Sequence, residues 1–237
     1  MYKRHPNFKT PDRDTVVWRY LSLSKFLSLL NEQQLYFARQ DRFFDAQEGA
    51  LSNTDHYYLE NMIPGVSKRV KSGSLGCTFI NCWVMSNVEL YLMWTTYSSI
   101  NEGVSIKTTV GNLIDSLDKQ DKRNIYISDV KYIDHDTQYT FEKAGDFVNF
   151  LAPSFCKGQF FQQENELRLI HIDYDMTFHD DIFGLVFNVS LDTLIDEVWI
   201  APKAEVWFEK VVQAELCLHN IHKPIKRSHI KTWNTEL

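Results

Sequence analysis

The chain has 237 residues, and its 25 Lys and Arg stand against 31 Asp and Glu, for a formal net charge of −6. Hydrophobic residues make up 44% and charged residues 24%, which excludes disordered, collagen-like and coiled-coil proteins. The acidic balance argues against a general nucleic-acid coat. No secretory signal and no run near the ~20 apolar residues of a membrane span is present. We therefore expect a globular cytoplasmic protein.

The spacing of apolar residues predicts helices and strands along the chain. Leu23, Phe26, Leu27 and Leu30 recur at i, i+3, i+4 and i+7, which is typical of an amphipathic helix. Further helices are predicted over residues 55–62, 90–97 with Asn87 as cap, 110–117, 139–151, 191–196 and 205–218. Aromatic and β-branched runs predict strands over residues 15–20, 35–38, 77–85, 104–108, 125–133, 164–172, 184–189 and 198–200.

These elements predict an α+β fold with a mixed β-sheet, split or continuous, flanked by helices. The chain has no βαβ rhythm and no glycine-rich phosphate loop, which excludes Rossmann and P-loop folds. Because no repeat or long linker divides it, we predict a single domain over residues 1–237. Its core would cover residues 15–218, between a short N-terminal arm and a basic C-terminal tail.

The cysteines and histidines do not form a metal-binding pattern. Four cysteines are present without a CxxC pair, which predicts buried, reduced thiols. Their positions are Cys77, Cys82, Cys156 and Cys217. His219 and His222 are spaced for one helix face, but a pair at a chain end is more typical of polar surface. We therefore predict no metal site.

Two segments combine aromatic side chains with polar groups. Trp18-Arg19-Tyr20 ends the first predicted strand, where Arg19 would hold an anion at a sheet edge or simply extend into solvent. Met93-Trp94-Thr95-Thr96-Tyr97 follows Ser86 and falls on an apolar stripe, so burial is the default role of Trp94 and Tyr97. The alternative for Tyr97 is a position in which its hydroxyl points into a cleft.

Two acidic segments are the other candidates for chemistry. In the predicted loop after Arg42, Asp45 and Glu48 shape a pocket wall or act as turn and cap residues. In the predicted strand over residues 164–172, Glu164, Glu166 and Arg168 share one face because side chains two apart lie on the same side. That face is either two carboxylates at the mouth of a cleft, or solvated surface on which Arg168 pairs with Glu166.

Taken in order, these segments resemble a mostly prokaryotic family called domain of unknown function 2971, or DUF2971. The most specific elements are Met93-Trp94-x-x-Tyr97 and Glu164-x-Glu166-x-Arg168. The other segments that carry the resemblance are residues 18–23, 35–38, 43–48, 82–86, 103–106, 130–132, 157 and 198–202. The chain has Phe44-Asp45-Ala46 where the family usually has Asn-Asp-Pro, so the proline of that turn is lost.

The order of an early Arg, a central Ser and a late Glu-x-Glu also resembles the arginine-serine-glutamate ADP-ribosyltransferases. That looser resemblance implies a mixed sheet with NAD bound in its cleft as a substrate. It implies catalytic roles for three residues, namely Glu166, which stabilises the positive charge, Glu164, which orients or deprotonates an acceptor, and Ser86, which braces Glu166 or the substrate. It implies contacts with NAD for Arg19, Tyr20, Tyr97 and Arg168.

The first functional hypothesis is therefore an NAD-dependent ADP-ribosyltransferase-like enzyme or NAD glycohydrolase, acting as a prokaryotic toxin or defence effector. Its acceptor would be a protein, a nucleic acid or water. It predicts that Glu166→Gln abolishes turnover and leaves the melting temperature nearly unchanged. The alternative is a non-catalytic nucleotide-binding sensor or interaction module of a defence system. A nuclease that uses the basic tail is weaker, because the chain is acidic overall.

Overall fold

A computed structural model describes residues 1–45, 47–62, 64–65, 76–141, 151–174 and 181–231. Its strands are β1 (Val16–Ser22), β2 (Gln34–Arg39), β3 (Thr78–Met85), β4 (Gly103–Thr109), β5 (Tyr126–Asp129), β6 (Lys131–Ile133), β7 (Cys156–Gly158), β8 (Glu166–Ile172), β9 (Gly184–Asn188), β10 (Glu197–Ile200) and β11 (Ile225–Arg227). Its α-helices are Leu23–Glu32, Asn53–Met62, Tyr91–Tyr97, Val110–Ser116, Leu191–Leu194 and Val206–Leu218.

The chain forms two compact units, each assembled from three separate segments. Unit 1 consists of Met1–Thr10, Tyr36–Cys82 and Lys122–Val186. Unit 2 consists of Pro11–Leu35, Trp83–Asp121 and Phe187–Leu237. Strand β3 therefore gives its first residues to unit 1 and its last residues to unit 2. The single domain over residues 1–237 stays a prediction.

Unit 2 is built on neighbouring strands in the order β11, β10, β4, β1. All of these pairs are antiparallel except β10 with β11. Strand β1 also pairs with the end of β3, where Val17 lies opposite Met85. The helix Leu23–Glu32 begins directly after β1 because the Ser22 side chain accepts a hydrogen bond from the Lys25 N–H. The helix buries Phe26, Leu29 and Leu30.

Unit 1 contains a central strand that is buried along its whole length. This strand is β8, and it pairs with β3 and antiparallel with β5. Strand β2 adds to β3 with Arg39 opposite Phe79, and β6 and β7 form a separate parallel pair. The N-terminal arm belongs to this unit, since Tyr2 forms a bridge with Ile125 and the Thr10 hydroxyl donates to the Ile127 carbonyl.

The predicted α+β class and mixed sheet are confirmed, and most strand pairs in the sheet are antiparallel. The predicted strand over residues 125–133 is divided, because Tyr126–Asp129 pairs with β8 and Lys131–Ile133 then pairs with β7 as β6. The predicted Asn87 cap is wrong, because the helix Tyr91–Tyr97 has Leu90 as its N-cap. The predicted helix over 139–151 falls mainly outside the described residues, as does Ala46.

The cysteines are free thiols, but only Cys156 is fully buried. Cys77 and Cys82 are half-buried, and the prediction of burial is wrong for the exposed Cys217. In the described part of the chain, no three His, Cys, Asp or Glu side chains are grouped to bind a metal ion. Among the same residues, no helix has both the length and the apolar character that a membrane crossing requires.

Candidate functional site

Five charged side chains form a buried group in unit 1, called here the carboxylate cluster. Its members are Glu48, Glu164, Glu166, Lys157 and Arg168, and each is less than a tenth exposed. Three carboxylates and two cations give the cluster a formal charge of 2 − 3 = −1. Charged side chains are almost never buried this far unless they are paired. The pairing geometry therefore determines what the cluster can do.

Arg168 lies at the centre of the cluster and is fully buried. Its Nε and Nη2 donate to the two oxygens of Glu166 at 3.1 and 3.0 Å, which is a bidentate pair. Nη2 also donates to Glu48 at 2.9 Å, and Nη1 donates to the Ser154 carbonyl at 2.7 Å. Through these contacts Arg168 holds two carboxylates and the 3-10 helix Pro153–Phe155 in place. Its predicted contact with NAD stays a prediction.

Lys157 reaches all three carboxylates from strand β7. Its Nζ lies 2.6 Å from Glu164, 3.4 Å from Glu48 and 3.5 Å from Glu166. The same ammonium group lies 4.8 Å from the centre of the Phe161 ring, within the range of a cation–π contact. Lys157 therefore links Glu164, which does not touch Arg168, to the rest of the cluster.

The environment of Glu166 favours its ionised form. Burial raises the pKa of a carboxyl group, but the charges of Arg168 and Lys157 and hydrogen bonds from Arg168 and the Cys82 thiol outweigh that effect. Together they lower the pKa of Glu166 from 4.5 to about 2. Glu166 is consequently a buried carboxylate that keeps its negative charge at every physiological pH.

Glu48 is pushed in the opposite direction. Burial raises the pKa of Glu48 above its ordinary value, and the nearby charge of Glu166 adds to this effect, against the opposing charges of Arg168 and Lys157. Two carboxylates in contact with the same arginine are thus separated in acidity by their surroundings. Such a separation is the usual basis for giving two carboxyl groups different roles in one site.

The backbone around the Glu-x-Glu motif differs from the predicted strand. Glu164 ends the 3-10 helix Gln159–Glu164, and Asn165 follows in the left-handed region with φ 41°. Strand β8 therefore begins only at Glu166, whose N–H donates to the Tyr132 hydroxyl at 2.9 Å. The predicted shared strand face is confirmed for Glu166 and Arg168, which contact each other. It is wrong for Glu164, whose position is set by a turn.

Arg19 lies in unit 2, in the middle of β1. The prediction of a sheet edge is wrong, because β1 pairs with β3 on one side and β4 on the other. The Arg19 guanidinium lies 5.7 Å from the Trp83 ring centre, a cation–π contact. Its interaction with an anion stays a prediction.

Tyr20 and Ser86 both have structural contacts in unit 2. The buried Tyr20 hydroxyl accepts a hydrogen bond from the Leu90 N–H at 2.9 Å, at the start of the helix Tyr91–Tyr97. The Ser86 hydroxyl donates to the Val88 carbonyl at 2.6 Å and accepts from the Val88 N–H at 3.2 Å. Both hydroxyls therefore shape the connection between β3 and that helix, and their predicted roles toward NAD stay predictions.

The aromatic stripe of the helix Tyr91–Tyr97 is only partly a core stripe. Met93 and Trp94 are fully buried, and the Trp94 indole N–H donates to Glu89 at 3.0 Å. Tyr97 is 45% exposed, so the default of burial is wrong for this residue. An exposed phenol at a helix end is accessible to a ligand, as its predicted stacking role requires.

The structure thus brings together three of the predicted site residues, Glu164, Glu166 and Arg168, in unit 1. The other four, Arg19, Tyr20, Ser86 and Tyr97, belong to unit 2, and convergence of the two sets stays a prediction. Asp45 is a turn residue, since its carboxylate accepts from the Gln47 N–H at 2.9 Å. From the sequence, the role of Glu48 was undecided and no role was predicted for Lys157. An isolated lysine flanked by the apolar Phe155-Cys156 and Gly158 was the available signal for Lys157.

The match to a family model agrees with the expected resemblance. No curated protein matches the chain. A solved structure described as Thermus sp. 2.9 DarT in complex with carba-NAD+ aligns with 92% of this chain and 97% of that chain, at 8% sequence identity and a TM-score of 0.41. The family model described as Protein of unknown function (DUF2971) matches residues 93–169, a range that includes Lys157, Glu164, Glu166 and Arg168, so the chain is similar to that family there.

Proposed function

We propose that the protein is an NAD-consuming enzyme with ADP-ribosyltransferase-like or NAD glycohydrolase chemistry. The observation that carries this proposal is Glu166, a buried carboxylate held ionised by Arg168 and Lys157. Cleavage of the bond between nicotinamide and ribose passes through an oxocarbenium-like centre, as glycoside hydrolysis does. A fixed negative charge in a site that excludes water stabilises such a centre far more than it would in water.

The proposed reaction gives each carboxylate a defined task. The C1′–N bond of NAD breaks, and nicotinamide leaves as a neutral molecule with the bonding electron pair. Glu166 stabilises the positive charge that develops on the ribose. The acceptor oxygen or nitrogen then bonds to C1′ and gives its proton to Glu164, which acts as general base. Glu164 suits this task because 11% of its side chain is exposed, more than for Glu48 or Glu166.

The charge of the cluster fits NAD at its nicotinamide end. The nicotinamide ring of NAD is a cation, and the cluster carries one more carboxylate than it has cations. The acceptor would be a protein side chain, a nucleic-acid base or water. Action as a toxin or defence effector belongs to the same proposal, and growth arrest on expression, lost in Glu166→Gln, is its test.

A non-catalytic nucleotide-binding or interaction module is the second candidate. The observation in its favour is that both oxygens of Glu166 accept hydrogen bonds from Arg168 and only 7% of the side chain is exposed. A buried ion pair with this geometry also has a purely structural use. Under this proposal the protein would bind NAD without cleaving it.

The test is release of nicotinamide from NAD by the purified chain, alone and with cell lysate. Glu166→Gln should abolish release, while Asp55→Asn should retain it. Asp55 is a matched control because it is another buried carboxylate of unit 1, hydrogen-bonded to Ser52 and Thr140 outside the cluster. All three proteins are assayed at a temperature at which circular dichroism shows each to be folded. Binding of NAD without release by the wild type would establish the second candidate instead.

A further inference from the structure

The local backbone does not by itself bring the carboxylates of Glu164 and Glu166 together. In a regular strand, side chains two apart share a face, but here Asn165 lies between them with φ 41° and ψ 57°. Glu164 closes a 3-10 helix, and Glu166 opens β8. Their like charges also repel each other. A cation in contact with both carboxylates would offset this repulsion.

Lys157 is the group placed to do this. Its Nζ lies 2.6 Å from Glu164 and 3.5 Å from Glu166, so one ammonium group contacts both carboxylates. The base of the Lys157 side chain is fixed because β7 pairs in register with β6, Lys157 opposite Tyr132. Tyr132 in turn accepts the hydrogen bond of the Glu166 N–H. Lys157 and Glu166 are therefore both held by the strand pair of β6 and β7.

We propose that Lys157 is the positioning residue that holds the Glu164 carboxylate beside Glu166 in the reactive arrangement. This inference rests on the proposed function, in which Glu164 accepts a proton from the acceptor. Without the ammonium group, no charge of Lys157 would offset the repulsion between the two carboxylates, and Glu164 would move away from Glu166. Lys157 acts through Glu164, so its loss should lower kcat and leave the KM for NAD nearly unchanged.

Lys157→Met removes the charge and keeps most of the side-chain volume. We expect kcat for nicotinamide release to fall about 100-fold, the size of effect that a misplacement of about 1 Å produces. Lys157→Arg should recover most of this loss, because it restores a cation. Lys107→Met is the matched control, since Lys107 also pairs with a glutamate, Glu197 at 3.4 Å, and lies over an aromatic ring, Trp18. Its kcat should equal that of the wild type.

The double variant Lys157→Met/Glu164→Gln keeps the test valid if the single variant folds poorly. It removes both partners of the 2.6 Å ion pair, so neither charge of that pair stays buried alone. If Lys157 acts through Glu164, the two substitutions are not additive, and kcat of the double variant equals that of Glu164→Gln alone. An additive loss, or an equal loss in Lys107→Met, would overturn the inference.

A readout without turnover separates this inference from the proposed function. In ¹³C NMR titrations, the Glu166 carboxyl of Lys157→Met should titrate at higher pH than in the wild type, because one of its two cationic neighbours is gone. Absence of nicotinamide release by the wild type overturns the proposed function, and the kinetic role of Lys157 with it. An unchanged titration of Glu166 overturns the contact of Lys157 with the cluster, whether or not the wild type is active.

Discussion

Replacing Glu166 by glutamine removes the charge that Arg168 and Lys157 share in the carboxylate cluster. The pKa of Glu166 is lowered from 4.5 to about 2 in the folded chain. This interval of about 2.5 corresponds to roughly 3 kcal/mol of stability at neutral pH. Removal of one partner of a buried ion pair typically costs about 3–5 kcal/mol, which agrees. We therefore expect Glu166→Gln to lower the free energy of unfolding by about 3 kcal/mol, contrary to the unchanged melting temperature that the sequence alone suggested.

The pH dependence of this difference has a defined sign. A carboxyl group with a lower pKa in the folded state stabilises the fold above its unfolded pKa. That contribution is lost as the pH falls through the folded pKa. For Glu166 the window runs from about 4.5 down to about 2. The wild type and Glu166→Gln should therefore differ fully at pH 7 and become progressively more alike in acid.

Urea unfolding followed by circular dichroism measures this free energy directly. At this chain length, a loss of about 3 kcal/mol also lowers the melting temperature by roughly 6–12 °C. Glu102→Gln, at an exposed position of unit 2, is the control and should unfold like the wild type. A change within about 0.5 kcal/mol for Glu166→Gln, the size expected of a surface substitution, would refute the buried pairing of Glu166 with Arg168.

Two further predictions concern neighbours of Glu166 and the free thiols. Because the pKa of Glu48 is raised in the folded chain, its contribution to stability is full below the unfolded pKa and is lost as the pH rises. Glu48→Gln should therefore lower the free energy of unfolding at pH 7 by less than Glu166→Gln does. A larger loss in the same urea titration would contradict this. Iodoacetamide at pH 8 should alkylate the exposed Cys217 before Cys82. The reason is that burial and the charge of Glu166 hold the pKa of the Cys82 thiol well above its usual range. If mass spectrometry finds Cys82 modified first, the carboxylate cluster is open to solvent.

Apolar periodicity was sufficient to predict most elements of the fold. The spacing of Leu23, Phe26, Leu27 and Leu30 led to a helix that the structure places at Leu23–Glu32. The errors lie where hydrogen bonds between distant segments decide the boundary. Residues 125–133 have the composition of one strand, but Tyr126–Asp129 pairs with β8 and Lys131–Ile133 pairs with β7, so the strand is divided. Local propensity does not encode this change of partner.

Only the contacts between residues close in the sequence could be predicted for the candidate site. Glu166 and Arg168 are two residues apart on a strand, so their pairing follows from strand geometry. Glu48 comes from a loop 120 residues before Arg168, and the sequence gives no sign that it meets the same guanidinium. Asn165 has a left-handed backbone conformation, which asparagine tolerates but which its presence in a sequence does not predict. The full cluster is therefore a product of tertiary folding.

The charge balance of the cluster bears on its use. A purely structural network gains nothing from a surplus carboxylate, because burying an uncompensated charge costs several kcal/mol. Burial and the charge of Glu166 raise the pKa of Glu48, which is the direction expected where a buried site has a surplus of negative charge. A positive charge beside Glu166 would offset that surplus. Under the proposed function, the positive charge that develops on the ribose would offset this surplus beside Glu166.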